Sequence, residues 1–100
     1  MDPTKWTSTI CTDISGIPWE PGAYAFEIDS EIVYIGRAKM LFKRLNTHKK
    51  LDKLREAFKP ILIKWCAGWG AYDNEQMLID TYQPVINIDC KGPNLISVVN

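Results

Sequence analysis

GAYAFEIDSEIVYIGRAKMLFKRLNTH, residues 22–48, sets two runs of β-branched and aromatic residues ahead of a basic, helix-compatible segment. Ala23 to Ile28 and Ile32 to Ile35 flank a polar Asp29-Ser30-Glu31 turn, the pattern of a β-hairpin. Gly22 opens the first run and Gly36 closes the second, so the pair is punctuated by residues that tolerate backbone conformations others resist. Tyr24 and Tyr34 then lie on paired strands and on one face. From Arg37 to His48 there is no Gly or Pro, and Leu41 and Leu45 at i, i+4 supply an apolar contact to the sheet. Read as one helix, this segment carries Arg37, Arg44 and His48 at i, i+7, i+11 in a single stripe.

Working outward, the first 20 residues show no clean period. Trp6, Ile10, Ile14, Ile17 and Trp19 are apolar, and Pro18 and Pro21 favour an extended or turned approach to the first strand. This segment is expected to pack over an edge or face of the sheet. Its tryptophans have the rings to stack on bases, but burial is the commoner use of an isolated tryptophan and is the expectation here. On the C-terminal side, Leu51, Leu54 and Phe58 at i, i+3, i+7 predict a second helix, or a bent continuation of the first, ended by Pro60. Ile61 to Cys66 is an apolar run of strand length, broken by Gly68-Trp69-Gly70.

The next helix is predicted from Ala71 or Asp73 to about Tyr82, before Pro84. Glu75, Leu78, Ile79 and Tyr82 at i, i+3, i+4, i+7 put a carboxylate at the margin of the buried face, where it needs a cation, a donor or a metal to offset its desolvation. A first-turn glutamate favouring the helix N-terminus would give the same pattern. Lys91-Gly92-Pro93-Asn94 reads as a turn, and Leu95 to Val99 as an edge strand or a loosely attached tail. The fold class predicted is α+β, a small, mostly antiparallel three-stranded sheet flanked by helices, as one domain over residues 1–100.

With 46% apolar and 24% charged residues, and no apolar run long enough to span a bilayer, the chain has a globular rather than membrane or disordered composition. Three scattered cysteines without a Cys-x-x-Cys pair favour a reducing compartment, and with no secretory signal pattern at the N-terminus a cytoplasmic location is expected. One histidine and no cysteines at ligand spacing argue against zinc. The net charge is zero, yet ten Lys/Arg between Arg37 and Lys64 face only Asp52 and Glu56, a net +8 over 28 residues. Lys39, Lys43, Lys49, Lys50 and Lys53 are the candidate polyanion contacts, with a salt-sensitive affinity to match. A solvated lysine-rich helix surface would look the same.

Gly22-Ala23-Tyr24, then Tyr34-Ile35-Gly36, Arg44, His48, Glu75 and Asn87 resemble, in order, the motifs of the GIY-YIG nuclease family, over about residues 21–88. Ala23 replaces the usual Ile or Val, and Arg37 stands where many members carry lysine, which keeps the charge and changes its geometry. The resemblance implies a metal-dependent endonuclease acting on DNA and leaving a 5′-phosphate and a 3′-hydroxyl. Glu75 would hold Mg²⁺ or Mn²⁺, and Mg²⁺ accepts one or two carboxylates while keeping its waters. Arg44 would brace the phosphate through two hydrogen bonds. Tyr24 is the implied proton acceptor, directly or through Tyr34 and His48, while His48 titrates in a useful range and is a rival base. Arg37 and Asn87 would support the site, Asn87 by orienting a neighbour. Sequence selectivity is expected to be modest unless a homodimer or a partner protein adds it. A non-cleaving nucleic-acid-binding module on the same fold is the alternative.

Overall fold

The hairpin forms because its turn accepts left-handed backbone at two successive residues. Asp29 and Ser30 have φ of 51° and 66°, the two-residue geometry whose twist matches paired strands. They join β2 (Gly22–Ile28) to β3 (Glu31–Ala38). The structure, a computed structural model, describes residues 2–57 and 60–89.

Among the described residues the sheet has four antiparallel strands in the order β1-β4-β2-β3, one more than the sequence predicts. The extra strand is β1 (Thr7–Ile10), which pairs Thr7 with Trp65 and Ile10 with Leu62 on β4 (Leu62–Ala67). As a polar edge strand it needs no apolar alternation, and its residues give no strand signal. The tail strand considered over 95–99 lies outside the described residues.

Each face of the sheet is covered. On one side Tyr24, Phe26 and Ile63 pack against Leu41 and Leu45 of α1 (Leu41–Asn46) and Leu51 and Leu54 of α2 (Lys49–Ala57). On the other, Ala25, Ile32 and Ile35 meet Leu78. That leucine belongs to α4 (Glu75–Tyr82), which follows α3 (Trp69–Asp73); α5 (Val85–Asp89) comes next in the chain. Each fully buried aliphatic chain contributes about 1.5–3 kcal/mol against exposure.

Several expectations are corrected. β3 runs through Arg37, paired with Ala23, to Ala38, paired with Gly22, so Arg37 is a strand residue and shares no helical stripe with Arg44 and His48. Cross-strand hydrogen bonds override the helix propensity of Arg37-Ala38-Lys39. His48 lies between α1 and α2, and the helix predicted from Ala71 or Asp73 to Tyr82 is two helices parted at Asn74. Lys64, counted with the basic run, is 7% exposed; it donates to the Thr4 carbonyl at 2.9 Å and stands 3.7 Å from Glu27. Trp19 is not buried but 63% exposed.

Candidate active site on the edge strand

Gly36 is why Tyr24 can lie where it does. In the ladder Tyr24 faces Gly36, and a Cβ there would stand 2.5 Å from both Cζ and Oη of the tyrosine. Without a side chain at that position, the ring passes over Gly36 and brings its hydroxyl to His48. Gly22 is fixed by the same kind of constraint, since a Cβ would collide with the Cys66 carbonyl. The two glycines thus have steric reasons to accompany the two tyrosines.

Tyr24, Phe26, Tyr34 and His48 form one aromatic cluster. The Tyr24 and Tyr34 centroids are 6.2 Å apart, and the His48 ring stands edge-on, 5.5 Å from each of them. His48 is 1% exposed and uses both ring nitrogens. Nδ1 accepts the Leu51 N–H at 3.3 Å, which caps the first turn of α2 in the way Ser or Asp usually does. Nε2 lies 2.8 Å from Tyr24 Oη. Burial first, then Arg44 and Lys50, push the imidazole pKa down to about 4. A neutral imidazole that accepts at Nδ1 carries its proton at Nε2, so His48 donates to Tyr24.

Tyr24 is 1% exposed, and burial followed by the neighbouring Tyr34 raises its pKa above the ordinary phenol range. The positive charge of the Arg44 guanidinium opposes this rise. His48 thus donates to the Tyr24 oxygen, with Tyr34 beside the same ring. Tyr34 is only partly buried and Arg44 is exposed. The resulting order is imidazole, buried phenol, accessible phenol.

Arg37 and Glu75 form a second group on the opposite pleat of β3. Arg37 Nε stands 3.7 Å from Glu75 Oε1, and its guanidinium lies 4.6 Å over the Tyr72 ring. Glu75, whose side chain is 21% exposed, has its pKa raised by burial, against which Arg37 works. A desolvated carboxylate held, among the described residues, by one long ion pair suits a divalent cation that takes a single protein oxygen. The two groups adjoin at Gly36 and Arg37, neighbours on the edge strand β3. Asn87 closes that edge: its amide donates to the Ile35 carbonyl at 2.8 Å and accepts the Ile35 N–H at 2.7 Å, doing the work of an absent neighbouring strand.

Of the lysines, Lys39 and Lys43 line an open groove of about 420 Å³ together with Ala38, Met40, Arg44 and Thr47. Lys49 and Lys53 are exposed and Lys50 is half-buried along α2, away from that groove. Sequence reasoning missed Tyr72, the aromatic seat of Arg37; only its place four residues after Gly68 in a broken helix hinted at it.

The fold and the groups gathered on β3 define an α+β domain of the nuclease type. The N-terminal endonuclease domain of UvrC from Thermotoga maritima, bound to its catalytic divalent cation, magnesium, is 28% identical with a TM-score of 0.60, covering 74% of this chain and 90% of that one. A point mutant of the same domain, also with its catalytic divalent cation, is 30% identical with a TM-score of 0.56, covering 74% and 89%. Among curated proteins, UvrABC system protein C of Methanospirillum hungatei is 34% identical over 91 residues, and that of Aquifex aeolicus 31% over 83. These alignments take in 82% and 75% of this chain but only 18% and 15% of the relatives' length. No family model matches. The chain belongs to the GIY-YIG nuclease family.

Proposed function

We propose that this chain is a Mg²⁺-dependent endonuclease that hydrolyses DNA phosphodiester bonds, leaving a 5′-phosphate and a 3′-hydroxyl. The observation that carries this reading is the cluster of His48, Tyr24 and Tyr34, in which His48 donates to Tyr24, set beside a half-buried carboxylate on the other face of one strand. A phosphate lying over the β3 edge is accessible to both groups. The relatives' metal-bound endonuclease domains support the same activity.

In this reading Arg44 braces the phosphate oxygens through charge-assisted hydrogen bonds that strengthen as negative charge builds during attack. Tyr34 is the phenol that meets the attacking water, because Tyr24 lies behind it at 1% exposure. Tyr34 takes the water's proton as a phenolate, with the Tyr24 ring beside it and His48 donating to Tyr24 from behind. His48 takes no proton, since the nitrogen facing Tyr24 already holds one. This gives the two candidate bases separate tasks: His48 orients and polarises, and the tyrosines carry the proton transfer.

Glu75 would hold the Mg²⁺, or Mn²⁺, and Arg37 would release it on binding. When held there, the cation would supply Lewis-acid stabilisation of the charge that builds on the phosphate. Lys39 and Lys43 extend the phosphate track away from Arg44, with Lys49, Lys50 and Lys53 as a more distant screen. Specificity is modest unless a second copy or a partner protein supplies it.

The test is nicking of supercoiled plasmid by the purified chain with Mg²⁺ or with EDTA, followed by DNA ligase. Metal-dependent nicks that the ligase reseals are expected. Nicks that resist ligation would overturn the product assignment, and an intact plasmid under all conditions would overturn the activity.

A further inference from the structure

The most exposed large apolar side chain in the described residues is Trp19, and it does not project freely. Its indole stacks on Phe42 with centroids 4.7 Å apart and planes 25° from parallel. With one face on Phe42 and 63% of the residue still exposed, the other face is open to solvent.

The residues on either side of Trp19 are pinned by the needs of α1. This helix starts without a side-chain cap, and two of its free amides are satisfied by the loop: Leu41 N–H donates to the Glu20 carbonyl at 2.8 Å and Phe42 N–H to the Pro18 carbonyl at 3.1 Å. The Pro21 carbonyl meanwhile accepts the Gly68 N–H at 2.6 Å, tying the loop to the end of β4. Trp19 is therefore an exposed ring on a pre-set backbone, ordered before any ligand arrives.

Its surroundings say which ligand. On α1, the half-buried Phe42 is followed directly by the exposed Lys43, with Arg44 about 100° further around the helix. Lys43 lines the open groove with Lys39, Met40, Arg44 and Thr47, so a strand whose phosphates lie in that groove has the Trp19–Phe42 stack at the residue next to Lys43. Cations along the backbone path with a flat aromatic ring beside them are the chemistry of single-strand binding. A base in the interior of a duplex is already stacked on both faces, so the open face of Trp19 suits an unpaired base.

We propose that Trp19, backed by Phe42, is a stacking platform for a base of an unpaired DNA strand adjoining the cleaved phosphate. The inference rests on the nuclease reading and narrows it: the substrate of this site carries a single-stranded segment on the α1 side.

The test measures affinity for a labelled single-stranded oligonucleotide and for the blunt duplex of the same sequence, in EDTA, so that binding is read without cleavage. Trp19→Ala is expected to weaken single-strand binding roughly 5- to 100-fold, the effect of losing one base–aromatic stack, and to leave duplex binding unchanged. Trp19→Phe is expected to restore most of the loss, and circular dichroism is expected to match the parent for both variants. Unchanged single-strand affinity in Trp19→Ala, or an equal loss on the duplex, would overturn the platform while leaving the nuclease reading intact. A dimer broken by Trp19→Ala would instead give the ring to a second copy of the chain. A parent that binds neither oligonucleotide would overturn both readings.

Discussion

Replacing His48 by Gln tests the direction of the hydrogen bond to Tyr24 through the dependence of stability on pH. The folded imidazole has its pKa pushed down to about 4 by burial, Arg44 and Lys50, whereas an unfolded histidine titrates near 6.5. Between these values the unfolded chain binds the extra proton, so His48 makes stability fall as pH falls through that window. From about pH 7.5 to pH 5 the loss is about 2 kcal/mol, a sizeable part of the 5–15 kcal/mol that holds a domain folded. Glu75 has its pKa raised by burial and acts in the opposite sense above its unfolded value, so the quantity to compare is parent minus variant, in which Glu75 cancels. Urea melts followed by tryptophan fluorescence would show the parent midpoint falling by roughly 1–2 M more than that of His48→Gln over this range. Parallel curves for the two proteins, or a His48 imidazole that titrates near 6.5 by NMR, would refute the neutral donor and return His48 to the role of a base.

Gly36→Ala would press a methyl group into Cζ and Oη of Tyr24; we expect cleavage to fall about 100-fold or more from the displaced phenol, with plasmid nicking as the readout and circular dichroism to check the fold. Asn87→Ala leaves the Ile35 N–H and carbonyl on the β3 edge without their partner, costing about 1–3 kcal/mol, seen as a lower thermal midpoint. Ser30→Gly relieves a left-handed serine at φ 66° and is expected to stabilise by about 0.5–1 kcal/mol in the same melt.

The hairpin was legible because its strands, turn and terminal glycines are all local features, and local features are what periodicity reports. The Ile61–Cys66 run likewise marked β4 to within a residue at each end. β1 was not legible: Thr-Ser-Thr-Ile pairs through its backbone along an edge, and no side-chain pattern records that. Arg37 was misplaced because Arg-Ala-Lys suits a helix as well as a strand end, and the pairing that decides it, Arg37 with Ala23 and Ala38 with Gly22, is with the far strand of the hairpin. Lys64 looked like one more surface cation. Its partners Glu27 and Thr4 sit on other elements, so its burial is a tertiary fact.

The convergence of Tyr24, Tyr34, Arg44 and His48 could be anticipated from their order along the chain. The direction of proton donation could not, because it depends on the Leu51 amide, and a histidine in the capping position breaks the usual preference for Ser, Thr, Asp or Asn. Trp19 failed the burial expectation for a comparable reason: the backbone of its loop serves as the cap of α1, and that service holds the ring at the surface.

The most direct measurement is plasmid cleavage by the parent and by Glu75→Gln, each with Mg²⁺ and with EDTA, alongside DNA binding by both proteins. The expected result is cutting by the parent only with Mg²⁺, a loss of roughly 1,000-fold or more in the variant, and DNA binding retained by both. Parent-like cutting by Glu75→Gln, or cutting that persists in EDTA, would contradict the metal role of Glu75; a parent that binds DNA and never cuts it would leave a binding module on this fold.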